Sequence, residues 1–338
     1  MSKPNGSGIG GPLVLLIMGT VGWCGQAAHA QAATDAPATQ PARTKPFDPV
    51  GKEIGQFEPI GEYMKDFFVL KHKDEFHLFY NVGTAGAKQD WQDAGNEEAF
   101  GHATTRDFKA WQMHPRVLHA TRGTWAGKVV SAPSIIPVGN RFAMVYSGFD
   151  DRALGLQTIG VAYSDDLFTW TQHPGNPVYQ GPPWTTWWPG RWADCRDAHV
   201  IDVKGTYLMY TMVHEAGTGL GAIAIARSSN LTDWEDLGPA IKLPGPPESP
   251  TVFERNGKYF LITGSVASGL FVSNDPAAQD WKRLPFKFPP GGGFWSGMEI
   301  FRDGDQYIAA AFEWKDNGNF IRFWAIDWSE GGIPAIRY

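Results

Sequence analysis

One pattern occurs five times along the chain and restricts the fold more than any other feature of the sequence. Each copy contains two apolar strands joined by a polar or glycine turn, which predicts a β-hairpin. The second strands cover residues 76–80, 142–146, 207–211, 259–263 and 307–311. Ten residues before the start of each second strand lie, in chain order, Asp66, Ala132, Asp197, Ser249 and Gly297. The five predicted hairpins therefore share one register.

A third apolar strand and a tryptophan follow each hairpin. The tryptophans are Trp111, Trp170, Trp234, Trp281 and Trp328. Related turns before the first three begin at Asp107, Asp166 and Asn230; Asp and Asn close such turns through their own backbone, and the indole covers the end of the sheet. Repeats with room for four strands are typical of radially arranged blades. We predict an all-β fold, a five-bladed β-propeller with four-stranded antiparallel blades.

Composition agrees with many short strands around a sizeable core. The chain has 338 residues, of which 40 are Gly, 25 Pro and 15 Trp, and 43% are hydrophobic. These levels of turn formers and aromatic residues favour strands over a helical bundle. The segment from Phe47 to Ile60 is predicted to add an outer strand to the last blade, which would close the ring and cover two sheet edges. A two-sheet sandwich is the alternative topology, because strand patterns alone do not fix strand order.

The first 30 residues have the pattern of a secretory signal peptide. Lys3 is followed by an apolar run from Pro12 to Trp23 and by small residues that end at Ala30, after which we predict cleavage. The run is shorter than the roughly 20 residues of a membrane span, so no membrane anchor is predicted; a lipoprotein modified at Cys24 is the alternative. Residues 31–46 are predicted to be a flexible lead-in and residues 47–338 the propeller catalytic domain. The predicted location is secreted or periplasmic.

The charge of the chain argues against nucleic-acid partners, and its cysteine content argues against disulfides. With 29 Lys and Arg against 35 Asp and Glu, the formal net charge is −6, so the chain has no excess positive charge with which to bind nucleic acid. Of the two cysteines, Cys24 would leave with the signal peptide. Cys195 is predicted to be a small buried residue rather than a nucleophile, and no internal disulfide is expected.

Three carboxylic acids fall at or beside the shared register position. Asp66 and Asp197 occupy it in the first and third repeats, and Glu248 precedes it by one residue in the fourth. Because the innermost strands of a propeller start around one central funnel, we expect these side chains to meet. Grouped carboxylates cannot all ionise easily, so at least one keeps its proton at neutral pH. An acid beside a carboxylate is the machinery of glycoside hydrolysis.

Four sequence blocks resemble the conserved blocks of glycoside hydrolase families 32 and 43, the furanosidase superfamily of five-bladed propellers. The blocks are Gly-His-Ala-Thr-Thr from Gly101, Gly-Asn-Pro-Val from Gly175, Arg-Asp-Ala-His-Val from Arg196 and Glu-Ser-Pro from Glu248. The resemblance implies that Asp66 is the nucleophile of a retaining enzyme or the general base of an inverting one. It also implies that Asp197 stabilises the transition state or modulates the pKa of a neighbouring group, and that Glu248 is the general acid. Arg196 matches the arginine of the Arg-Asp-Pro block of these families.

Further residues are predicted to contact the substrate. Indole rings stack on sugar faces, and a loop rich in tryptophan either folds onto the body of the protein or holds a ligand. The predicted substrate-binding residues are Arg196, His102, Trp187, Trp188, Trp295 and Glu299. No metal site and no cofactor are predicted, although the sequence leaves open whether a central metal ion is bound. His214-Glu215 lacks the second histidine that a zinc protease helix needs.

The leading hypothesis is an exported glycoside hydrolase that cleaves furanoside-type bonds, for example fructofuranosyl or arabinofuranosyl bonds, in oligo- or polysaccharides. A carbohydrate-binding propeller that has lost its chemistry is the first alternative, because the residues around Asp66 depart from the family pattern. A scaffold for protein partners is the second. The sequence leaves open the sugar and linkage, retention or inversion, exo- or endo-action, and the oligomeric state.

Overall fold

In the computed structural model, every helix or strand assigned within the described residues is a β-strand. The described residues are 53–84, 95–150, 156–186, 194–264, 269–285, 295–313, 319–328 and 334–335. Their strands form five four-stranded sheets and one two-stranded sheet, and all neighbouring strands whose register is known run antiparallel. The predicted all-β, five-bladed β-propeller with four-stranded antiparallel blades is confirmed.

Each blade runs from an inner strand beside the propeller axis to an outer strand at the rim. Blade one is β2 (Glu62–His72), β3 (Glu75–Thr84), β4 (Phe100–Thr105) and β5 (Gln112–Val117); blade two is β6 (Val129–Val138), β7 (Arg141–Phe149), β8 (Gln157–Ser164) and β9 (Thr171–Gln172). Blade three is β10 (Cys195–Val203), β11 (Thr206–His214), β12 (Gly221–Ser228) and β13 (Glu235–Leu243); blade four is β14 (Glu248–Arg255), β15 (Lys258–Gly264), β16 (Gly269–Ser273) and β17 (Lys282–Leu284). Blade five is β18 (Trp295–Asp303), β19 (Gln306–Glu313), β20 (Phe320–Ala325) and β1 (Glu53–Phe57), and β21 (Asp327–Trp328) pairs with β22 (Pro334–Ala335).

The first strand of the chain completes the last blade. β1 pairs antiparallel with β20, so that Phe57 lies opposite Ile321. The indole N–H of Trp111 in blade one donates a hydrogen bond to the carbonyl oxygen of Gln56 at 2.8 Å, which ties β1 to the first blade as well. The predicted closing strand is confirmed, over residues 53–57 of the predicted segment.

Five buried apolar clusters hold neighbouring blades together. Each cluster takes its residues from two adjacent blades, and one of them joins blade five to blade one. In that cluster the rings of Phe67 and Phe312 meet edge to face, with centroids 6.5 Å apart. Since burial of apolar area is the main stabilising contribution to folding, the ring closes through the same core packing that joins the other blades. This closed arrangement excludes the two-sheet sandwich.

The three related turns close as the sequence predicts. Oδ1 of Asp107 accepts the backbone N–H groups two and three residues later, at 2.9 Å each. Asp166 and Asn230 do the same in blades two and three. The indoles of Trp170 and Trp234 then donate to the carbonyl groups of Leu167 and Leu231, both at 3.1 Å.

Cys195 is free and buried in the cluster between blades two and three. Burial raises the pKa of its thiol well above the usual range, so the thiolate is disfavoured. The prediction of a small buried residue is confirmed. The predicted signal peptide, Cys24 and the lead-in lie outside the described residues. Within the described part of the chain, no helix is both long and apolar enough to cross a membrane.

Candidate active site

Every innermost strand contains a β-bulge near its start. The residue at each bulge has a left-handed backbone, with φ of 35° at Asp66, 51° at Ala132, 55° at Asp197, 48° at Ser249 and 57° at Gly297. These are the five positions that define the shared register of the sequence. Left-handed backbone is strained for any residue except glycine, and bulges re-aim side chains next to functional sites. The repeated bulge therefore directs five chain segments toward one axis.

The bulges surround a cavity of about 290 Å³. Asp66, Asp197 and Glu248 line it from blades one, three and four, and Arg196 lies beside them. The residues immediately before the bulges also line it, and they are Lys65, Ser131, Arg196, Glu248 and Ser296. The rest of the wall includes the apolar side chains of Val129, Phe149 and Phe312. The structure thus brings together the three carboxyl groups that the register predicted to meet.

Asp66 is held by polar groups from two blades. Nδ2 of Asn81 donates to its Oδ2 at 3.0 Å, and the hydroxyl of Ser249 lies 3.5 Å from its Oδ1. Burial raises the pKa of Asp66 above its ordinary value of 3.8, and the negative charges of Asp197, Glu97 and Glu248 raise it further, while the Lys65 ammonium lowers it. The carboxyl group of Asp66 therefore keeps its proton to a higher pH than an exposed aspartic acid does.

Asp197 lies between a positively charged side chain and a backbone hydrogen-bond donor. Its Oδ2 accepts the backbone N–H of Ser249 at 3.1 Å and lies 3.7 Å from Nε of Arg196. Its own backbone N–H donates to the hydroxyl of Ser147 in blade two at 2.9 Å. Burial raises the pKa of Asp197 above 3.8, but the guanidinium of Arg196 and the Ser249 N–H both lower it. Asp197 therefore ionises more readily than Asp66.

Glu248 forms an ion pair with the arginine of the neighbouring blade. Nη2 of Arg196 lies 2.5 Å from Oε1 of Glu248, and 30% of the Glu248 side chain is exposed. The two residues are the positions directly before the bulges of blades three and four. A charge-assisted bond of this length fixes the orientation of the carboxyl group at the cavity wall.

Glu97 is a fourth cavity carboxylate, which the sequence analysis missed. It accepts hydrogen bonds from the hydroxyl of Tyr63 and the amide of Asn81, both at 3.2 Å, and its Oε1 lies 2.6 Å from Nζ of Lys65. Glu97 comes from the segment before β4 and not from an innermost strand. The register therefore carries no signal for it.

Asp194 and His214 form a second group of residues that the sequence did not reveal. Asp194 is buried, and its carboxylate contacts both Arg196 and His214 at 2.7 Å. The imidazole of His214 thus lies at the far end of a chain of polar contacts that leads through Asp194 and Arg196 to Glu248.

Glu299 lies outside the larger cavity that the three acids line. It lines a small cavity of about 20 Å³ that it shares with Asp66, Asp197 and His199, but it does not line the larger one. Burial raises its pKa well above 4.5 and lowers the pKa of His199 to about 4. Both groups favour the neutral state, so Glu299 is a buried channel residue and not a wall of the larger cavity.

His102 does not line either of these cavities, contrary to the expected substrate contact. It lies on β4, where its ring stacks on Phe79 with centroids 4.4 Å apart, and its Nε2 is 3.0 Å from Nδ1 of His77. Phe168 and His114 pack against the same ring. Third strands lie away from the axis, so the Gly-His-Ala block places this side chain between blades one and two. The structure gives His102 a packing role.

The predicted aromatic contacts are largely beyond what the structure describes. Trp187 and Trp188 lie outside the described residues, and the side chain of Trp295 does too, although its backbone begins β18. Trp184 is described, and its indole N–H donates to Asp236 at 2.9 Å while it packs against the cluster between blades two and three. Among the described residues, no group of three or more His, Cys, Asp and Glu side chains is arranged to hold a metal ion.

The chain is similar in sequence to known fructan-cleaving enzymes. A model described as "Glycosyl hydrolases family 32 N-terminal domain" matches residues 57–243. The extracellular exo-inulinase of Aspergillus niger is 28% identical over 229 residues, which cover 59% of this chain and 40% of that protein. The fructan 6-exohydrolase of Triticum aestivum is 27% identical over 186 residues, which cover 49% of this chain and 28% of that protein. The chain therefore spans less than half the length of these relatives.

Solved structures show the same fold. A GH32 beta-fructofuranosidase from Bombyx mori superimposes with a TM-score of 0.66 at 16% identity, covering 86% of this chain and 65% of that one. A thermostable family-43 glycoside hydrolase superimposes with a TM-score of 0.64 at 18% identity, covering 83% of this chain and 95% of that one. These likenesses extend over most of the propeller.

Proposed function

Because this chain belongs to glycosyl hydrolase family 32, whose N-terminal domain matches more than half of it, we propose that the protein hydrolyses furanoside bonds in oligo- or polysaccharides. The observation that carries the proposal is the convergence of Asp66, Asp197 and Glu248 from three blades on one cavity of about 290 Å³. The exo-inulinase and the fructan exohydrolase among its relatives support a fructofuranosyl substrate. The polar cavity wall offers the hydrogen-bonding groups that a sugar ring needs.

In the proposed mechanism, Asp66 attacks the anomeric carbon while Glu248 protonates the departing glycosidic oxygen. The bond to the leaving group breaks, and the sugar becomes covalently attached to Asp66. Glu248, now a carboxylate, then removes a proton from water, which attacks the anomeric carbon and releases Asp66. Asp197 stabilises the positive charge that develops on the sugar in both steps. These roles follow the family resemblance together with the convergence of the three groups.

Burial and three neighbouring carboxylates raise the pKa of Asp66, so in the proposed mechanism this group has to lose a proton before it attacks. Glu248 is instead paired with Arg196 at 2.5 Å. The proposed mechanism needs Asp66 to be ionised and Glu248 to carry a proton when the substrate is bound. The Lys65 ammonium lowers the pKa of Asp66 and so favours its ionised state.

We also propose that the protein is exported and cleaved after Ala30, with residues 47–338 as its catalytic domain. The charge-then-apolar pattern of the first 30 residues supports this, as does the extracellular exo-inulinase among the relatives. Expression of the full chain in a host that secretes proteins, followed by N-terminal sequencing of the secreted product, tests it. A mature protein that begins at Gln31 is expected, and a secreted product that keeps Met1 would contradict the proposal.

Hydrolysis is tested with the purified protein on sucrose, 1-kestose, inulin and arabinofuranosyl oligosaccharides, with release of free sugar as the signal. Asp66→Asn and Glu248→Gln are each expected to lower kcat/KM by at least about 100-fold, because each removes a group that acts on the reacting bond. Asp305→Asn, at an exposed carboxylate on a turn of blade five, is the matched control.

The stereochemistry of the first-formed product tests the mechanism separately. Proton NMR of the released sugar is expected to show retention of anomeric configuration, as a covalent Asp66 intermediate requires. Inversion would assign Asp66 the role of general base. Sugar binding without release of product across the whole panel would favour the carbohydrate-binding alternative over the enzyme.

A further inference from the structure

Four side chains form a continuous polar chain from the edge of blade three to the cavity. Nδ1 of His214 lies 2.7 Å from Oδ2 of Asp194, and Oδ1 of Asp194 accepts a hydrogen bond from Nη1 of Arg196 at 2.7 Å. Nη2 of Arg196 then reaches Oε1 of Glu248 at 2.5 Å. No family block of the sequence contains Asp194 or His214.

The pairing of two strands explains why these residues meet. Cys195 lies opposite Val213 and Arg196 lies opposite Met212 across β10 and β11. Continuing this register by one residue places Asp194 opposite His214. Alternate residues of a strand share a face, so Asp194 and Arg196 lie on the same side of the sheet as Met212 and His214. Nη1 of Arg196 accordingly lies 3.6 Å from Sδ of Met212.

Arg196 depends on these partners for its position. Only 15% of its side chain is exposed, and Asp194 is more deeply buried, at 4%. A buried guanidinium has to be paired, and its planar fork can engage two carboxylates only from a fixed orientation. Asp194 binds one nitrogen of the fork, which directs the other nitrogen at Glu248. His214 in turn fixes the second oxygen of Asp194.

We propose that His214 and Asp194 are positioning residues that hold Arg196 against Glu248 and thereby orient Glu248 for proton donation. The inference rests on the proposed glycoside hydrolase function and adds to it two residues that do not line the cavity. Because Arg196 engages Oε1 of Glu248, Oε2 is the oxygen that presents the proton to the leaving group. If Arg196 shifts, that orientation is lost.

Proton donation matters most when the leaving group is poor. When the leaving group is another sugar, its oxygen departs only if Glu248 supplies a proton. A nitrophenolate, in contrast, leaves as a stable anion without one. A defect in the orientation of Glu248 should therefore slow hydrolysis of an oligosaccharide far more than hydrolysis of a 4-nitrophenyl glycoside of the same sugar. A general disturbance of the fold would slow both equally.

The test compares His214→Leu, His214→Asn and Asp194→Asn with the wild type on such a substrate pair. His214→Leu and Asp194→Asn are expected to lower kcat/KM on the oligosaccharide by about 10- to 100-fold, by analogy with the loss of hydrogen-bonding partners that orient metal ligands. On the nitrophenyl glycoside the loss should stay below about threefold on the same reasoning. His214→Asn places an amide N–H where Nδ1 stood, so it should restore most of the activity on the oligosaccharide.

Glu215→Gln is the matched control, because Glu215 is the next residue but its side chain contacts Lys242 and Thr218 rather than Asp194. It should show no difference between the two substrates. Equal losses on both substrates for His214→Leu and Asp194→Asn, or no loss on either, would overturn the inference.

A crystal structure of a variant tests the same proposal without an activity assay. In His214→Leu the contact between Arg196 Nη2 and Glu248 Oε1 should lengthen beyond hydrogen-bonding distance, and an unchanged contact would count against the proposal. Failure of the proposed function looks different, since the wild type would then cleave neither substrate. If His214→Leu does not fold, Asp194→Asn, which keeps the shape of the side chain, supplies both measurements.

Discussion

The hydroxyl of Ser249 lies 3.5 Å from Oδ1 of Asp66, although 183 residues separate the two along the chain. The same serine donates its backbone N–H to Asp197 at 3.1 Å. One residue of blade four thus contacts the aspartates of blades one and three. This is possible because all three residues occupy the bulge position of their blades, and all three line the same cavity.

The first prediction concerns the hydroxyl and the backbone of Ser249 separately. Ser249→Ala and Ser249→Gly both remove the hydroxyl and keep the N–H, so both should lower kcat/KM by less than about tenfold, as expected for one weak hydrogen bond. Their stabilities should differ, because φ at this residue is 48° and glycine adopts such values without strain. Urea unfolding should show the glycine variant about 1 kcal/mol more stable than the alanine variant. Equal stability would argue against strain at the bulge.

The second prediction concerns the stability cost of keeping Asp66 in the cavity. The unfolded chain holds the Asp66 proton only up to a pKa near 3.8, whereas burial and neighbouring carboxylates let the folded protein hold it to higher pH. Folding therefore binds a proton in this interval, and the free energy of unfolding that Asp66 contributes falls as pH rises through it. Asp66→Asn should raise the melting temperature, and more so at pH 8 than at pH 4. The gain should vanish at low pH, where the wild-type carboxyl group is protonated in both states.

The repeat explains how much of this architecture the sequence predicts. The bulge residues Asp66 and Asp197 lie at a fixed distance from an apolar strand, so the strand pattern alone locates them and the adjacent Glu248. Backbone strain at the bulge adds the reason for that regularity, because each inner strand needs one left-handed residue at the same place. The fold and the three central acids could therefore be read from spacing.

Residues outside the inner strands could not be predicted in this way. Glu97 comes from an irregular segment, whereas Asp194 and His214 meet only because their strands pair. Each of these residues therefore enters the site through a tertiary contact that no local sequence pattern encodes. His102 is the opposite case, because the sequence points to it but it does not line the cavity. Its sequence block matches the family, but the block lies on a third strand, whose side chains pack between blades. A motif identifies residues, whereas the blade position decides which of them reach the axis.

The third prediction concerns acid stability and uses His102. The ring is buried, and burial lowers its pKa from 6.5 to about 3. Between these values the unfolded chain binds a proton that the folded chain excludes, so the free energy of unfolding falls as pH drops below 6.5, by up to about 1.4 kcal/mol per pH unit for one histidine. His102→Gln should reduce the fall measured by urea unfolding at pH 7 and pH 5. The same substitution at exposed His119 controls for the change of residue, and an identical pH dependence in wild type and His102→Gln would refute the assignment.

The last prediction concerns the closing strand. A methyl group on Gly55 would lie 2.0 Å from the carbonyl oxygen of Phe108, so Gly55→Ala forces β1 away from blade one. Overpacking of this kind typically costs about 1 to 3 kcal/mol. Thermal unfolding should show the loss, and limited proteolysis should cleave the chain before residue 58 faster than in the wild type, because a displaced β1 also leaves its pairing with β20. Gln56→Ala is the matched control, since its side chain is exposed and only its backbone carbonyl accepts the Trp111 hydrogen bond. If Gly55→Ala behaves like Gln56→Ala in both measurements, β1 contributes little to holding the ring closed.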